Sequence, residues 1–165
     1  MKIRRFVPED STFCFRTRCA AFIQIFYKEI GPKAVSAGIN AYMPDDYVKM
    51  SATMKIFIVE DNKERKGFFS IKRIDGITAE IPFIYFDLKY HDQGYGSKSI
   101  QYIEKWIRSN WLEVEKIFLD TIIPKYNGGF YKKAGFKIAG KSYCSYGDLI
   151  IKANRFEKNI KLKCS

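Results

Sequence analysis

The segment YHDQGYGSKSIQYI, residues 90–103, carries two glycines two positions apart, directly after an apolar run and directly before an amphipathic stretch. A helix start leaves N–H groups without intrahelical acceptors and gives them partial positive charge, which suits it to hold an anion. Gly94 and Gly96 remove side chains that would keep a phosphate from those groups, and Ser97 can add a hydroxyl. The same glycines also suit a plain strand-to-helix turn, which needs them for backbone reasons alone. Residues 92–97 therefore read either as an anion cradle or as a turn. They form neither a P-loop, since G-x-x-x-x-G-K-[ST] is absent, nor a dinucleotide fingerprint, since the third glycine is missing.

Other chemistry is constrained by what the chain lacks. His91 is the single histidine, and the four cysteines, Cys14, Cys19, Cys144 and Cys164, form no C-x-x-C pair. A typical zinc site is excluded, as is a Ser-His-Asp or Cys-His engine unless His91 serves it. The thiols read as buried or idle groups in a reducing compartment. The net charge of +11 fits an anionic cofactor, nucleic acid or a soluble surface. The lysines are scattered and no arginine-rich run or basic helix stands out, so nucleic acid is the least favoured partner.

These groups need a scaffold. At 165 residues and 47% apolar content the chain suits one domain with its own core. Its longest apolar stretches, such as 81–86, are too short to cross a bilayer. MKIRRFVPED at the N-terminus lacks the apolar centre of a signal peptide, so a cytoplasmic location is expected. Alternation predicts a strand over 2–7. Phe15, Cys19, Phe22, Ile23 and Phe26 recur at helical spacing and predict a helix from about Ser11 to Glu29, broken by Gly31-Pro32. An irregular helical region is expected over 33–50, restarting at Pro44. Strands are expected at 55–60, 67–74 and 79–88, as an antiparallel meander. A helix over 94–110 buries Ile100, Ile103, Trp106 and Ile107. A strand (116–123), a short helix ended by Gly135 and a closing hairpin complete a β-α-α-β-β-β-α-β-α-β-β order. This is one mixed α/β domain, residues 1–165.

HDQGYG (91–96) resembles the Q/R-x-x-G-x-G/A acetyl-CoA loop of the GNAT superfamily of N-acetyltransferases. YNGGFYKKAGF (126–136) is similar to that family's second signature, an asparagine followed by FYxxxGF in its fourth helix. The element order matches from the first strand to the last. More narrowly, AEIPF (79–83) with QGYG (93–96) resembles the histone-acetyltransferase branch, in which a glutamate on the fourth strand is the general base. There are departures. His91 stands where the family carries Gln or Arg, Pro82 interrupts a strand that needs donors, and Gly128 and Gly129 weaken the start of the short helix. The family's fourth strand carries a bulge and splays from the fifth, which would accommodate Pro82.

The resemblance implies a GNAT fold and transfer of acetyl from acetyl-CoA to an amine, with no metal. It assigns the pyrophosphate to backbone N–H groups of Asp92, Gly94, Tyr95, Gly96 and Ser97, beside the His91 imidazole. The pantetheine arm falls to main-chain groups of Ile84 and Phe86 and to the Asn127 side chain. An alkylamine with a pKa of about 10.4 arrives protonated and needs a base. Glu80 is the first choice and Asp87 the second, although Glu80 also reads as a surface or salt-bridged carboxylate. Tyr131 is the implied general acid for the leaving thiolate, or else a ring packed between helix and sheet. N–H groups near Ile84 and Tyr85 would stabilise the oxyanion. Glu29, Asp45, Asp46, Glu80 and Asp87 are candidates for an acidic acceptor pocket, though PDD at 44–46 equally suits a loop start. A non-catalytic acetyl-CoA sensor and a basic nucleic-acid module are the alternatives. Homodimers are common in the family.

Overall fold

Alternating side chains build one eight-stranded sheet with an apolar layer on each face. The computed structural model describes residues 1–122 and 124–160, without the side chains of 124–128. The strands are β1 (Lys2–Arg5), β2 (Lys55–Asp61), β3 (Glu64–Arg73), β4 (Thr78–Glu80), β5 (Ile84–Phe86), β6 (Lys116–Thr121), β7 (Lys137–Tyr146) and β8 (Leu149–Asn159). They lie in the order β1-β2-β3-β4-β6-β8-β7, with β5 also paired to β3. Among these strands, only the β4–β6 pairing is parallel. Helices α1 (Ser11–Ala21), α2 (Tyr27–Asn40) and α3 (Pro44–Met50) cover one face, and α4 (Tyr95–Asn110) and α5 (Pro124–Lys133) the other. The fold is the expected mixed, mostly antiparallel α/β domain.

Spacing explains which faces are buried. Ile100, Ile103 and Ile107 recur at helical intervals on α4 and pack on Phe57, Ile71, Ile117 and Phe156, forming the larger core. On the opposite face Ile56, Ile58, Phe68 and Phe83 lie under Cys14 of α1 and Tyr47 of α3.

Two local expectations are corrected. The run 79–88 is two strands rather than one: β4 and β5 each pair antiparallel with β3, as the expected meander requires, and β4 also lies parallel to β6 on its other edge. Pro82 has no N–H for the ladder. Lys72 pairs with Glu80 but Phe69 pairs with Ile84, so the register slips by one residue. At the slip the Phe83 N–H bonds the Ser70 hydroxyl (3.1 Å) while the Ser70 N–H bonds the Phe83 carbonyl (2.9 Å). Such a bulge re-aims the next stretch of chain, and Phe83 and Tyr85 turn toward α1 and α3. The second correction is Ile23, expected inward but 56% exposed. Residues Phe22–Phe26 form a π-helical turn, whose wider winding rotates Ile23 outward. The break at Gly31 is as expected, with φ at 77°.

One buried ion pair ties β1 to α1. Asp10, 1% exposed, accepts from two Arg4 nitrogens (2.6 and 2.9 Å), from Arg65 (3.3 Å) and from the Val7 N–H (3.0 Å). Burial alone would raise its carboxyl pKa, but these donors overcome it and hold it below the ordinary 3.8. Stability from a lowered carboxyl pKa is fully present above the unfolded value of about 4 and is lost as pH falls through the folded one. Asp10→Asn is expected to cost about 2–4 kcal/mol at neutral pH, because it strands a partly buried guanidinium. The difference between variant and wild type should shrink in urea melts as pH drops below about 4.

Candidate active site

Pairing between β4 and β6 ends where the Ile81 N–H reaches the Phe118 carbonyl at 2.9 Å. Beyond that link β5 pairs only with β3, and residues 119–121 pair only with β8. The strands diverge and leave a cavity of about 580 Å³ that passes through the sheet. On the α4 side it is lined by Ile84, Phe86, Tyr95, Gly96, Phe130 and Tyr131. On the α1–α2 side its wall is made by Ala21, Ile25, Phe26, Tyr85, Ile122 and Tyr146.

The start of α4 opens into this cavity. Gly94 sits at φ 81°, a left-handed conformation that favours glycine. Gly96 is needed for another reason: a side chain there would press on the Phe130 ring, about 3.0 Å from the added carbon. No side chain caps the helix, and its first internal bond runs from the Lys98 N–H to the Gly94 carbonyl at 3.1 Å. The N–H groups of Tyr95, Gly96 and Ser97 therefore have no intrahelical acceptor. The Tyr95 hydroxyl donates to Asp61 at 2.9 Å and pins this end of the helix to β2. The glycines make the turn, and the turn leaves an uncapped helix end facing the cavity.

The free edge of β5 supplies a second row of polar groups. The Asp87 N–H bonds the Lys66 carbonyl (3.0 Å) and the Phe83 carbonyl accepts from Ser70, so residues 83, 85 and 87 face β3. In an antiparallel ladder the intervening residues point the other way. The main-chain groups of Ile84 and Phe86 are thus directed at the cleft, while those of Tyr85 are not. The Phe86 carbonyl lies 3.2 Å from His91 Nε2.

The α1–α2 side carries the charges. Asp120 of β6 lines the cavity and is held by Arg155 (3.1 and 2.9 Å) and the Ser142 hydroxyl (2.8 Å). Glu80 is half-buried. Burial, then the charge of Asp120, raises its carboxyl pKa above the ordinary 4.5. Tyr131 is 5% exposed, packed among Phe130, Phe136 and Phe156. Burial, then Tyr85, raises the pKa of its hydroxyl. Cys144, also in the wall, is pushed up to about 11 by burial, then by Asp120 and Glu80, so its thiol stays protonated.

Of the residues singled out from sequence, Ile84, Phe86, His91, Asp92, Gly94, Tyr95, Gly96, Ser97 and Tyr131 line this one cavity. Glu80 stands near Asp120 but is not in the lining, and the Asn127 side chain lies outside the described residues. Glu29, Asp45, Asp46 and Asp87 do not line it. Asp46 instead accepts from the Met43 N–H (2.8 Å) at the start of α3. Sequence reasoning missed Asp120 and Tyr146, and it named Tyr85 only for a main-chain N–H, which the pairing with β3 turns away from the cleft. The signal for Asp120 was present, as a lone charge inside the apolar strand KIFLDTII.

The sequence profile of the acetyltransferase (GNAT) family matches residues 23–136. This chain belongs to that family. No curated protein matches it in sequence. As a GNAT fold it is similar to PaiA N-acetyltransferase from Thermoplasma acidophilum, solved in complex with coenzyme A (TM-score 0.78, 17% identity, 96% of this chain and 98% of that one). It is similar to a GCN5-related N-acetyltransferase from Rhodopseudomonas palustris (TM-score 0.78, 17% identity, 96% and 94% covered). A third likeness is to an aminoglycoside 6'-N-acetyltransferase complexed with coenzyme A (TM-score 0.66, 15% identity, 100% of both chains). At these identities the likeness speaks for the fold.

Gly94→Ala meets no atom within 4 Å, so its whole cost is backbone strain. It should lose about 1–2 kcal/mol, and Gly94→Asn less, because asparagine tolerates the left-handed region. Paired thermal melts check the order.

Proposed function

We propose that the protein is an acetyl-CoA-dependent N-acetyltransferase that moves acetyl from the thioester to a primary amine of a small molecule or peptide by direct attack. The observation that carries this reading is the cavity crossing the sheet, with uncapped N–H groups at one end and Asp120, with Glu80 near it, at the other. The residues present fit the co-substrate. Backbone N–H groups from Asp92 to Ser97 hold the pyrophosphate, where the absence of side chains at Gly94 and Gly96 admits it. The cleft-facing main chain of Ile84 and Phe86 pairs with the pantetheine amides, and Asn127 is assigned to the opposite wall. The high positive charge of the chain favours capture of this polyanion.

The amine comes from the α1–α2 side as a cation, drawn by Asp120 and Glu80. Glu80 takes its proton, directly or through water, and its raised pKa makes it a stronger base than an exposed carboxylate. The freed nitrogen forms its bond to the acetyl carbon, and the N–H of Ile84 faces the oxygen on which charge builds. As the carbon–sulfur bond breaks, Tyr131 gives its proton to the departing sulfur, and its own raised pKa keeps that proton in place until then. Solvent carries the proton from Glu80 back to Tyr131, and the second proton shed by the acylated nitrogen is released to solvent. The products are the N-acetylated amine and the CoA thiol.

CoA-thiol release across a panel of primary amines tests this. Tyr131→Phe and Glu80→Gln are each expected to lower kcat about 10²- to 10⁴-fold with acetyl-CoA binding retained. Because Glu80 must be ionised, kcat/KM should fall as pH drops through its raised pKa. Asp120→Asn removes a charge that raises it, so that limb should move to lower pH. Tight acetyl-CoA binding with no thiol release from any amine would favour the sensor reading instead.

A further inference from the structure

Beside the through-sheet cavity lies a second recess of about 420 Å³, between the last turn of α2 and the β7–β8 turn. Ala37, Asn40, Ala41, Tyr42, Ser145 and Gly147 line it, with no charged side chain among them. Among the described residues, Tyr146 alone lines both spaces. Tyr146 therefore stands between them.

Tyr146 is packed from behind. Phe22, fully buried, meets the Tyr146 ring edge-on with centroids 5.6 Å apart. Phe22 in turn fills the space where a side chain on Gly38 would stand, so only glycine at that position lets the ring seat against α2. The end of α2 is held by Arg18, 1% exposed, which donates to the carbonyls of Gly38 (2.5 Å), Ile39 (3.0 Å) and Tyr42 (3.0 Å) and to the Tyr47 hydroxyl (2.9 Å). These partners are neutral, but the carbonyls lie at the negative end of the α2 dipole, which meets the guanidinium charge. The Tyr146 ring is thus backed by Phe22 and, through it, by α2.

We propose that Tyr146 sets the length of the amine acceptor. The ammonium end lies near Asp120, the tail runs toward β7, and the Tyr146 ring ends the available space. The natural acceptor is thus a compact primary amine. Removing the ring would join the two spaces and admit a longer acceptor, whose tail would be uncharged because the recess offers no carboxylate to a second cation. The proposal rests on the N-acetyltransferase reading above.

The test compares kcat/KM for straight-chain primary amines from propylamine to decylamine, with acetyl-CoA, in wild type, Tyr146→Phe, Tyr146→Leu and Tyr146→Ala. The wild type should show a chain length beyond which kcat/KM falls, and Tyr146→Phe should keep it, because the ring remains. Tyr146→Ala should raise the ratio of long-chain to short-chain kcat/KM by roughly 10- to 100-fold, with Tyr146→Leu between. Diamines of the same length should gain less than monoamines. Tyr146→Leu carries the test should the alanine variant fail to fold. Turnover with the same cut-off in the variants overturns the proposal, as does a shift in Tyr146→Phe equal to that in Tyr146→Ala. The absence of thiol release with any amine in any variant overturns the N-acetyltransferase reading, and this inference with it.

Discussion

A missing N–H shapes the centre of this molecule. At Pro82 the chain cannot donate to either neighbour, so the strand that should run unbroken beside β6 slips its register and stays with β3. A sheet that closed there would bury the main chain of Ile84 and Phe86 in a ladder, and would leave no passage between the α4 face and the α1–α2 face. Ser70 makes the slip tolerable, because its hydroxyl satisfies the Phe83 N–H that the displaced ladder leaves over. Buried N–H groups without partners are costly, so Pro82 and Ser70 act as a pair.

The opening separates two kinds of electrostatics that would interfere if mixed. On one side an uncapped helix end presents positive partial charge, suited to phosphate. On the other, Asp120 lines the wall in its pair with Arg155, and the Glu80 carboxyl stands near it. Between them run apolar walls, Leu119 and Ile84 among them, and the rings of Tyr85 and Tyr131. Two carboxylates near each other in partly dry surroundings cannot both ionise as readily as either alone. Arg155 pairs with Asp120, while burial and then the charge of Asp120 raise the pKa of Glu80.

Much of this was legible in the sequence, and the rest was hidden for identifiable reasons. Helix α4 is strongly periodic, so its buried isoleucines and its glycine-marked start could be read directly, and the two motifs pointed to the family that the sequence profile shows. Pro82 announced a break, but not that the strand would divide into two pieces with different partners, because pairing is a long-range outcome. Ile23 fitted an α-helical spacing, and no local residue signals the π turn that moved it outward. The α1–α2 side of the cavity was the least legible. Asp120, Tyr85 and Tyr146 come from three strands distant in sequence, and acidic residues that looked available, such as Asp46, are used in local caps.

The central claim is that the open helix end from Gly94 to Ser97 holds phosphate while the rest of the cleft holds the arm and the acceptor. Backbone amide NMR during titration with CoA, and separately with pantetheine, tests it most directly. The account predicts large shifts at Tyr95, Gly96 and Ser97 with CoA only, and shifts at Ile84 and Phe86 with both ligands. CoA binding that leaves the amides of 95–97 unmoved would contradict it.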